Sequence, residues 1–251
     1  MKVSIITVCK NAQGTIEQTI KSVISQDYKN IEYLIIDGKS TDKTLDIVNK
    51  YKSKISVIVS EPDNGLYYAM NKGLEKSTGD IIYFLNSGDL LFNRHTISNI
   101  VNVFKKNNAD VVYGDIALYE SDNPKKLILR RQNRVNDFFL IHDTIYHQSI
   151  FAKKYIFEKY GKFDTRYKLA ADYEWILRLI IKNNIPFYYT NQVVAKFLRG
   201  GLSFNEVESF KERFAILPVY FNFLQVVLNG FFFWLLYRVF VKIRRDCFSI
   251  G

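Results

Sequence analysis

Carboxylates and amides recur in this chain directly behind short apolar runs. Cys9-Lys10-Asn11 follows the first run and Asp37-Gly38-Lys39-Ser40-Thr41-Asp42 the second. Glu61-Pro62-Asp63-Asn64-Gly65 follows the third, Asn86-Ser87-Gly88-Asp89 the fourth and Gly114-Asp115 the fifth. Asp89 and Asn86, close together on one turn, offer oxygen ligands. Mg²⁺ or Mn²⁺ is typically held by one or two carboxylates plus substrate phosphates. A carboxylate at Asp37 could hydrogen-bond a ribose or base, and the paired Gly200 and Gly201 let backbone approach a phosphate closely. Together these features describe a nucleoside-diphosphate site with a metal. The same residue types also serve turns and helix caps, and Thr41 or Asp42 is placed to cap the helix that follows. No GxGxxG motif follows the first run and no P-loop signature occurs, so dinucleotide-binding and P-loop readings fail.

Positioning these groups requires a particular scaffold. β-branched runs begin near Val3, Ile31, Ile55, Ile81 and Ala109, at intervals of roughly 24 to 28 residues. Between them, Thr15 to Gln26, Thr41 to Tyr51, Gly65 to Lys76 and His95 to Lys106 carry helical periodicity. Alternating strand and helix at this interval predicts βαβ units and a parallel sheet. Right-handed crossovers bring the loops behind the strands to one edge, where open α/β sheets bind ligands.

The second half reads differently. Ile116 to Leu129 is a β-excursion, Ile145 to Phe151 a strand containing His147-Gln148, and Lys153 to Tyr160 a short helix. Asp172 to Lys182 is a helix with Trp175, Ile176, Leu179 and Ile180 on one face, which puts Asp172 at its N-terminus, where the helix dipole favours a carboxylate. Val193 to Phe197 is a further strand.

Composition narrows the classes. The chain has 251 residues, 48% of them apolar, which excludes a disordered polypeptide. Two cysteines, Cys9 and Cys247, exclude a disulfide-rich fold, and neither belongs to a CxxC pair. The opening residues are too short an apolar run for a secretory signal, which places the active parts in the cytosol. The net charge of +10 concentrates in Lys125, Lys126, Arg130, Arg131 and Arg134, and in Arg238, Lys242, Arg244 and Arg245. Neither cluster carries interleaved aromatics and the strand ends are acidic, which disfavours nucleic acid. The second cluster follows an uncharged stretch from Phe214 to Tyr237. That stretch is long enough to span a bilayer, but Pro218, Asn222, Gln225 and Asn229-Gly230 favour two short interfacial helices. The basic residues then meet anionic headgroups on the cytoplasmic face, as a peripheral or monotopic anchor. Packing on the catalytic domain or on a second copy of the chain is the competing reading.

Five segments in order resemble a known family. They are Val3 to Asn11, Ile35 to Asp42, Glu61 to Gly65 continuing through Ala69-Met70-Asn71-Lys72-Gly73, Phe84 to Asp89, and Ala171 to Trp175. The chain is similar to inverting family 2 glycosyltransferases of the GT-A fold, an α/β architecture with a mixed, mainly parallel sheet. Within that family it most resembles enzymes that build bacterial surface polysaccharides. The resemblance implies a catalytic domain over residues 1–205, with a nucleotide-sugar half to 115 and an acceptor half beyond it, followed by the tail at 206–251. It also implies that Thr7, Asn11, Asp37 and Ser40 hold the nucleoside, probed first as uridine, and that Glu61 and Asp63 line the donor pocket. Asn71 and Lys72 stand nearby, Lys72 being equally compatible with solvated surface. Asp89 with Asn86 holds Mg²⁺ or Mn²⁺, Asp172 is the general base, and Gly200, Gly201 and Ser203 close over the diphosphate.

Three positions depart from the family's pattern. Asn86 and Gly88 stand where its metal motif usually has Asp, and Ala171 stands where Glu often precedes the base. His147, next to Gln148, meets the acceptor or the metal region, or is structural. Trp175 and the Tyr67-Tyr68 pair either stack on sugar or, for Trp175, belong to the core. The implied activity is sugar transfer from a nucleotide diphosphate donor to a lipid-linked glycan. The rivals are transfer to polyprenyl phosphate and non-catalytic nucleotide-sugar or glycan binding. A homo-oligomer is compatible with all three.

Overall fold

The computed structural model describes residues 1–120, 126–133, 135–198, 206–222 and 224–226. The first half alternates β1 (Val3–Cys9), α1 (Ile16–Ile24), β2 (Ile31–Asp37), α2 (Thr44–Lys50), β3 (Val57–Ser60), α3 (Leu66–Lys76), β4 (Ile81–Phe84), the two-residue β5 (Leu90–Leu91), α4 (Thr96–Asn107) and β6 (Val111–Tyr119). The second half adds β7 (Ile128–Arg130), α5 (Asp137–His142), β8 (Ile150–Lys153), α6 (Lys154–Tyr160), α7 (Ala171–Leu177), β9 (Phe187–Leu198) and α8 (Glu206–Tyr220).

One sheet runs in the order β3-β2-β1-β4-β8-β6-β9-β5, with β7 on the flank of β6. The four strands from β3 to β4 are parallel. β8 inserts antiparallel between β4 and β6, and β6 pairs parallel with β9, so the sheet is mixed, as expected. Its two faces feed two apolar layers. Ile6, Val8, Leu34, Ile36, Ile82 and Phe84 pack with α3, α6, α7 and the inner face of α8. Their alternate neighbours Val3, Ile5, Tyr33, Ile35, Ile81 and Tyr83 pack with α1, α2 and α4. A strand's period of two sends successive residues to opposite faces, which is why these strands read as continuous apolar runs.

Three sequence expectations are corrected. Gly114-Asp115 lies within β6 rather than behind it, and the Asp115 carboxylate is buried, accepting hydrogen bonds from Gln132 N and the Tyr189 hydroxyl, each at 2.9 Å. His147–Ser149 forms a 3₁₀ turn before β8 instead of part of a strand. The uncharged stretch does not begin a separate apolar unit at Phe214. Ile216, Leu217 and Phe221 are buried in the same layer as α7, and among the described residues no helix is long and apolar enough to cross a membrane. The stretch beyond residue 226, with its basic end, lies outside the described residues, as do Lys125 and Arg134 of the first cluster.

Candidate functional site

The parallel strands deliver their polar ends to one edge. Asp37 closes β2, fully buried. Its carboxylate accepts Ser40 N at 2.9 Å and Ser60 Oγ at 2.7 Å, and it also accepts the Ser40 hydroxyl. Asn11, exposed behind β1, accepts Thr41 N at 2.9 Å and donates its own N–H to Ser40 Oγ at 2.8 Å. Asp37, Ser40 and Asn11 therefore tie the loops behind β1 and β2 together. Neither Thr41 nor Asp42 is the N-cap of α2: that place falls to Lys43, which makes no side-chain cap bond, while Asp42, one residue earlier, accepts the N–H of Thr44 at 2.9 Å. Asp63 comes up against Gly38, where a side chain would collide with its carboxylate. Glu61 pairs with Lys72 at 2.7 Å, and that contact holds the Glu61 carboxyl below its usual range. Thr7 is as fully buried as Asp37, within β1 and 3.2 Å from the Tyr33 hydroxyl, so neither side chain presents surface to a nucleoside in this structure. Asn71 is committed elsewhere as well, its amide clasping the backbone N–H and C=O of Phe163 at 3.1 and 2.9 Å.

Behind β4, Asn86-Ser87-Gly88-Asp89 forms a tight turn closed by Asp89 N donating to Asn86 O at 3.0 Å. Gly88 sits at φ +101°, a conformation that glycine adopts and an L side chain resists. Asp89 is buried, with Leu198 N donating to it at 3.1 Å. Burial pushes its carboxyl up to about 7, although nearby His147 and the Leu198 N–H pull the other way. The Asn86 side-chain oxygen is buried and has no hydrogen-bond partner. A desolvated carboxylate and an orphaned amide oxygen three residues apart fit a divalent cation whose remaining ligands come from a diphosphate. Among the described residues no group of three or more His, Cys, Asp or Glu side chains supplies a complete metal cage.

A hydrogen-bonded chain leads from this turn to Asp172. Asn86 Nδ2 lies 3.1 Å from His147 Nε2, and His147 Nδ1 lies 3.1 Å from Asp172 Oδ2. With Asn86 donating, the imidazole carries its proton on Nδ1 and presents it to Asp172. Tyr67, from α3, donates its hydroxyl to Asp172 Oδ1 at 2.7 Å, and the same oxygen accepts Tyr173 N at 2.9 Å. Burial acts to raise the Asp172 pKa. The hydrogen bond from His147, with the donors from Tyr67 and Tyr173, overcomes it and holds the carboxyl below its usual value. Asp172 is therefore an ionised, oriented carboxylate in the first turn of α7.

Asp172, His147 and Gln148 line one cavity of about 360 Å³ with Tyr67, Tyr146, Phe210 and Arg213. Trp175 does not reach it. Stacked on Phe157 at 4.6 Å between ring centroids and 2% exposed, it belongs to the aromatic core, which corrects the sugar-stacking option. Gly200, Gly201 and Ser203 lie outside the described residues. The sequence reading missed Glu212. From α8 this side chain accepts the N–H groups of Lys168, Leu169 and Ala170 at 3.0, 2.8 and 3.0 Å, bracing the segment that leads into α7. Nothing in the local sequence marks it, since its partners are more than forty residues away.

A parallel half-sheet with acidic and amide loops at its carboxyl edge, continued by a mixed second half, is the GT-A architecture. The chain belongs to glycosyl transferase family 2, whose model matches residues 4–163. It is 29% identical over 222 residues to the PGL/p-HBAD biosynthesis glycosyltransferase of Mycobacterium bovis, covering 86% of this chain and 84% of that protein. An uncharacterized glycosyltransferase of Mycobacterium tuberculosis is 30% identical over 183 residues, or 70% of this chain and 68% of the relative. Among solved structures, S. aureus TarS 1-349 matches with TM-score 0.66 at 19% identity, over 87% of this chain and 65% of the other. Mannosyltransferase PcManGT from Pyrobaculum calidifontis, in complex with GDP-Man and Mn²⁺, matches with TM-score 0.64 at 19% identity, over 85% and 61%. The chain thus spans less than two thirds of those structures' length, and at such identities the likeness is one of fold.

Proposed function

We propose that the protein transfers a sugar, with inversion, from a nucleoside diphosphate donor to a hydroxyl of a lipid-linked glycan. The observation that carries this reading is the Asn86–His147–Asp172–Tyr67 chain, which joins the Asp89 turn to an ionised carboxylate facing an open cavity. The nucleoside lies over the loops braced by Asn11, Asp37 and Ser40, with Asp63 and the Glu61–Lys72 pair at its rim. A UDP-sugar is the first donor to test. TarS 1-349 has been solved with UDP-GlcNAc and PcManGT with GDP-Man and Mn²⁺, so both nucleotides belong in the assay. Asp89 and Asn86 would hold Mg²⁺ or Mn²⁺, which when bound supplies charge neutralisation for the departing diphosphate.

Asp172 does the work on the acceptor side. As the acceptor oxygen attacks the anomeric carbon, its proton passes to Asp172 Oδ2, and the carbon–oxygen bond to phosphate breaks with its electron pair leaving on the diphosphate. Base assistance of this kind contributes on the order of 10²–10⁴-fold. His147 and Tyr67 hold the carboxylate in place and keep it ionised. A phosphate nucleophile has no proton to lose, so an oriented, ionised Asp172 favours a hydroxyl acceptor over polyprenyl phosphate.

The lipid-linked acceptor is supported by the outer face of α8. There Val207, Phe210 and Phe214 stand 65%, 65% and 57% exposed, and Phe210 lines the cavity. That face, followed by the uncharged stretch and its basic end, suits peripheral attachment to the cytoplasmic side of the membrane in surface polysaccharide synthesis. A panel of UDP- and GDP-sugars with Mn²⁺ or Mg²⁺, reading donor hydrolysis and transfer, tests the reading. Asp172→Asn should bind donor as the parent does and lose transfer; unchanged turnover in that variant would overturn the base.

A further inference from the structure

The cavity beside Asp172 contains a cation that makes no ion pair within 4.0 Å among the described residues. Arg213 projects from α8 into it, and its guanidinium carbon lies 4.7 Å from the centre of the Tyr173 ring. That ring is buried, and its hydroxyl is anchored on Leu140 O at 2.5 Å, so the guanidinium rests on a fixed platform one residue beyond the base. The Arg213 Nε is buried and lacks a hydrogen-bond partner. Among the described residues Arg213 takes part in none of the ion pairs within 4.0 Å. The nearby carboxylates hydrogen-bond other groups and none lies within ion-pair distance of Arg213. Glu212 is spent on three backbone N–H groups, Asp172 on Tyr67 and His147, and exposed Asp143 accepts Thr144 N at 2.8 Å. The helix that carries Arg213 is itself held in register by Glu212, by buried Ile216 and Leu217, and by the hydroxyl of Tyr220 donating to Glu174. A half-buried, oriented guanidinium with an orphaned Nε and no direct ion pair has donors left to give an incoming anion, and its planar fork matches phosphate or carboxylate.

We propose that Arg213 is an acceptor-recognition residue that binds an oxyanion on the acceptor, a phosphate ester above all, and so seats the acceptor hydroxyl against Asp172. This rests on the reading that the cavity takes the acceptor, and it adds that the acceptor is anionic close to the reacting sugar. The oxyanion could be borne by a lipid or be free phosphate.

The test uses the full chain and four small probes: n-octyl phosphate, n-octyl glucoside, inorganic phosphate and UDP. Binding is measured calorimetrically to wild type, Arg213→Met and Arg213→Gln. Wild type should bind octyl phosphate at least ~10-fold more tightly than octyl glucoside, the scale of a charge-assisted hydrogen-bonded pair. Both variants should lose that preference and keep UDP affinity within about twofold, showing that they remain folded. Inorganic phosphate binding as tightly as octyl phosphate points to free phosphate and overturns the acceptor role; binding at least ~10-fold more weakly points to a lipid-borne group and supports it. Equal wild-type affinity for charged and uncharged amphiphiles, or a preference that survives in either variant, overturns the proposal. If no nucleotide sugar is turned over while the Arg213-dependent preference persists, the transfer reading fails and the oxyanion site stands.

Discussion

Replacing Asp89 by Asn probes the conflict between burial and charge at the turn behind β4. In the folded chain this carboxyl is pushed up to about 7, mainly by burial. In the unfolded chain an aspartate titrates near 3.9. Between these values the folded protein keeps a proton that the unfolded chain has released, so stability falls as pH rises through that window. Each unit of difference corresponds to about 1.4 kcal/mol, so the full effect is on the order of 4 kcal/mol and is complete near pH 8. From pH 5.5 to 8 the remaining part is roughly 2 kcal/mol, which for a chain of this size lowers Tm by about 4–8 °C. Asp172 does not confound the measurement. Its lowered pKa gives stability that is present above the unfolded value and lost only as pH falls through the folded value, below this window. The assay is thermal unfolding of wild type and Asp89→Asn in chelator-treated buffer across pH 5.5–8, repeated at pH 8 with Mn²⁺. Wild type should lose stability with rising pH and regain it with the cation, whereas the variant should do neither. Parallel Tm–pH curves for the two proteins would refute the argument that burial at this turn is relieved by a proton or a cation.

Three further expectations follow from the base and its supports. Glu212→Ala removes three hydrogen bonds, each worth about 1 kcal/mol, and should lower Tm by roughly 6–12 °C. Glu212→Gln should fall between it and wild type; an unchanged Tm in both would show that α8 does not brace the entry to α7. Tyr67→Phe deletes a donor to Asp172, so the acidic limb of the transfer pH profile should move upward by about one unit. A limb that stays put, or moves to lower pH, would contradict the role given to the hydroxyl. His147→Ala should reduce kcat by at least ~10-fold with little change in donor affinity, as expected for a residue that orients the base. A loss confined to donor binding would place His147 on the nucleotide side instead.

Much of the scaffold could be read from the chain alone. Strand runs at regular intervals, with helical periodicity between them, identified the parallel half because each element's period is a local property of consecutive residues. The loops that hold Asn11, Asp37, Asp63, Asn86 and Asp89 were legible for the same reason, since each lies immediately behind a strand. Local reading failed where a residue's surroundings come from distant elements. Thr7 and Trp175 have types suited to ligand contact, but packing enclosed both, one beside Tyr33 and the other against Phe157. Asp115 seemed to end a strand because the signal at Gly114 resembles a turn, whereas pairing with β9 carries β6 through to Tyr119.

The sequence by itself determined which residues can carry charge, accept protons and ligate a cation, and the order in which the chain presents them. Tertiary structure decided which of these act together. Asp172 meets Tyr67 across 105 positions and His147 across 25, and Glu212 reaches Lys168 across 44. Such meetings depend on how helices from both halves settle on one face of the sheet. Burial by that packing, more than residue type, sets whether a carboxyl is ionised, and it drives Asp89 up to about 7 while the donors it gathers around Asp172 hold that group down.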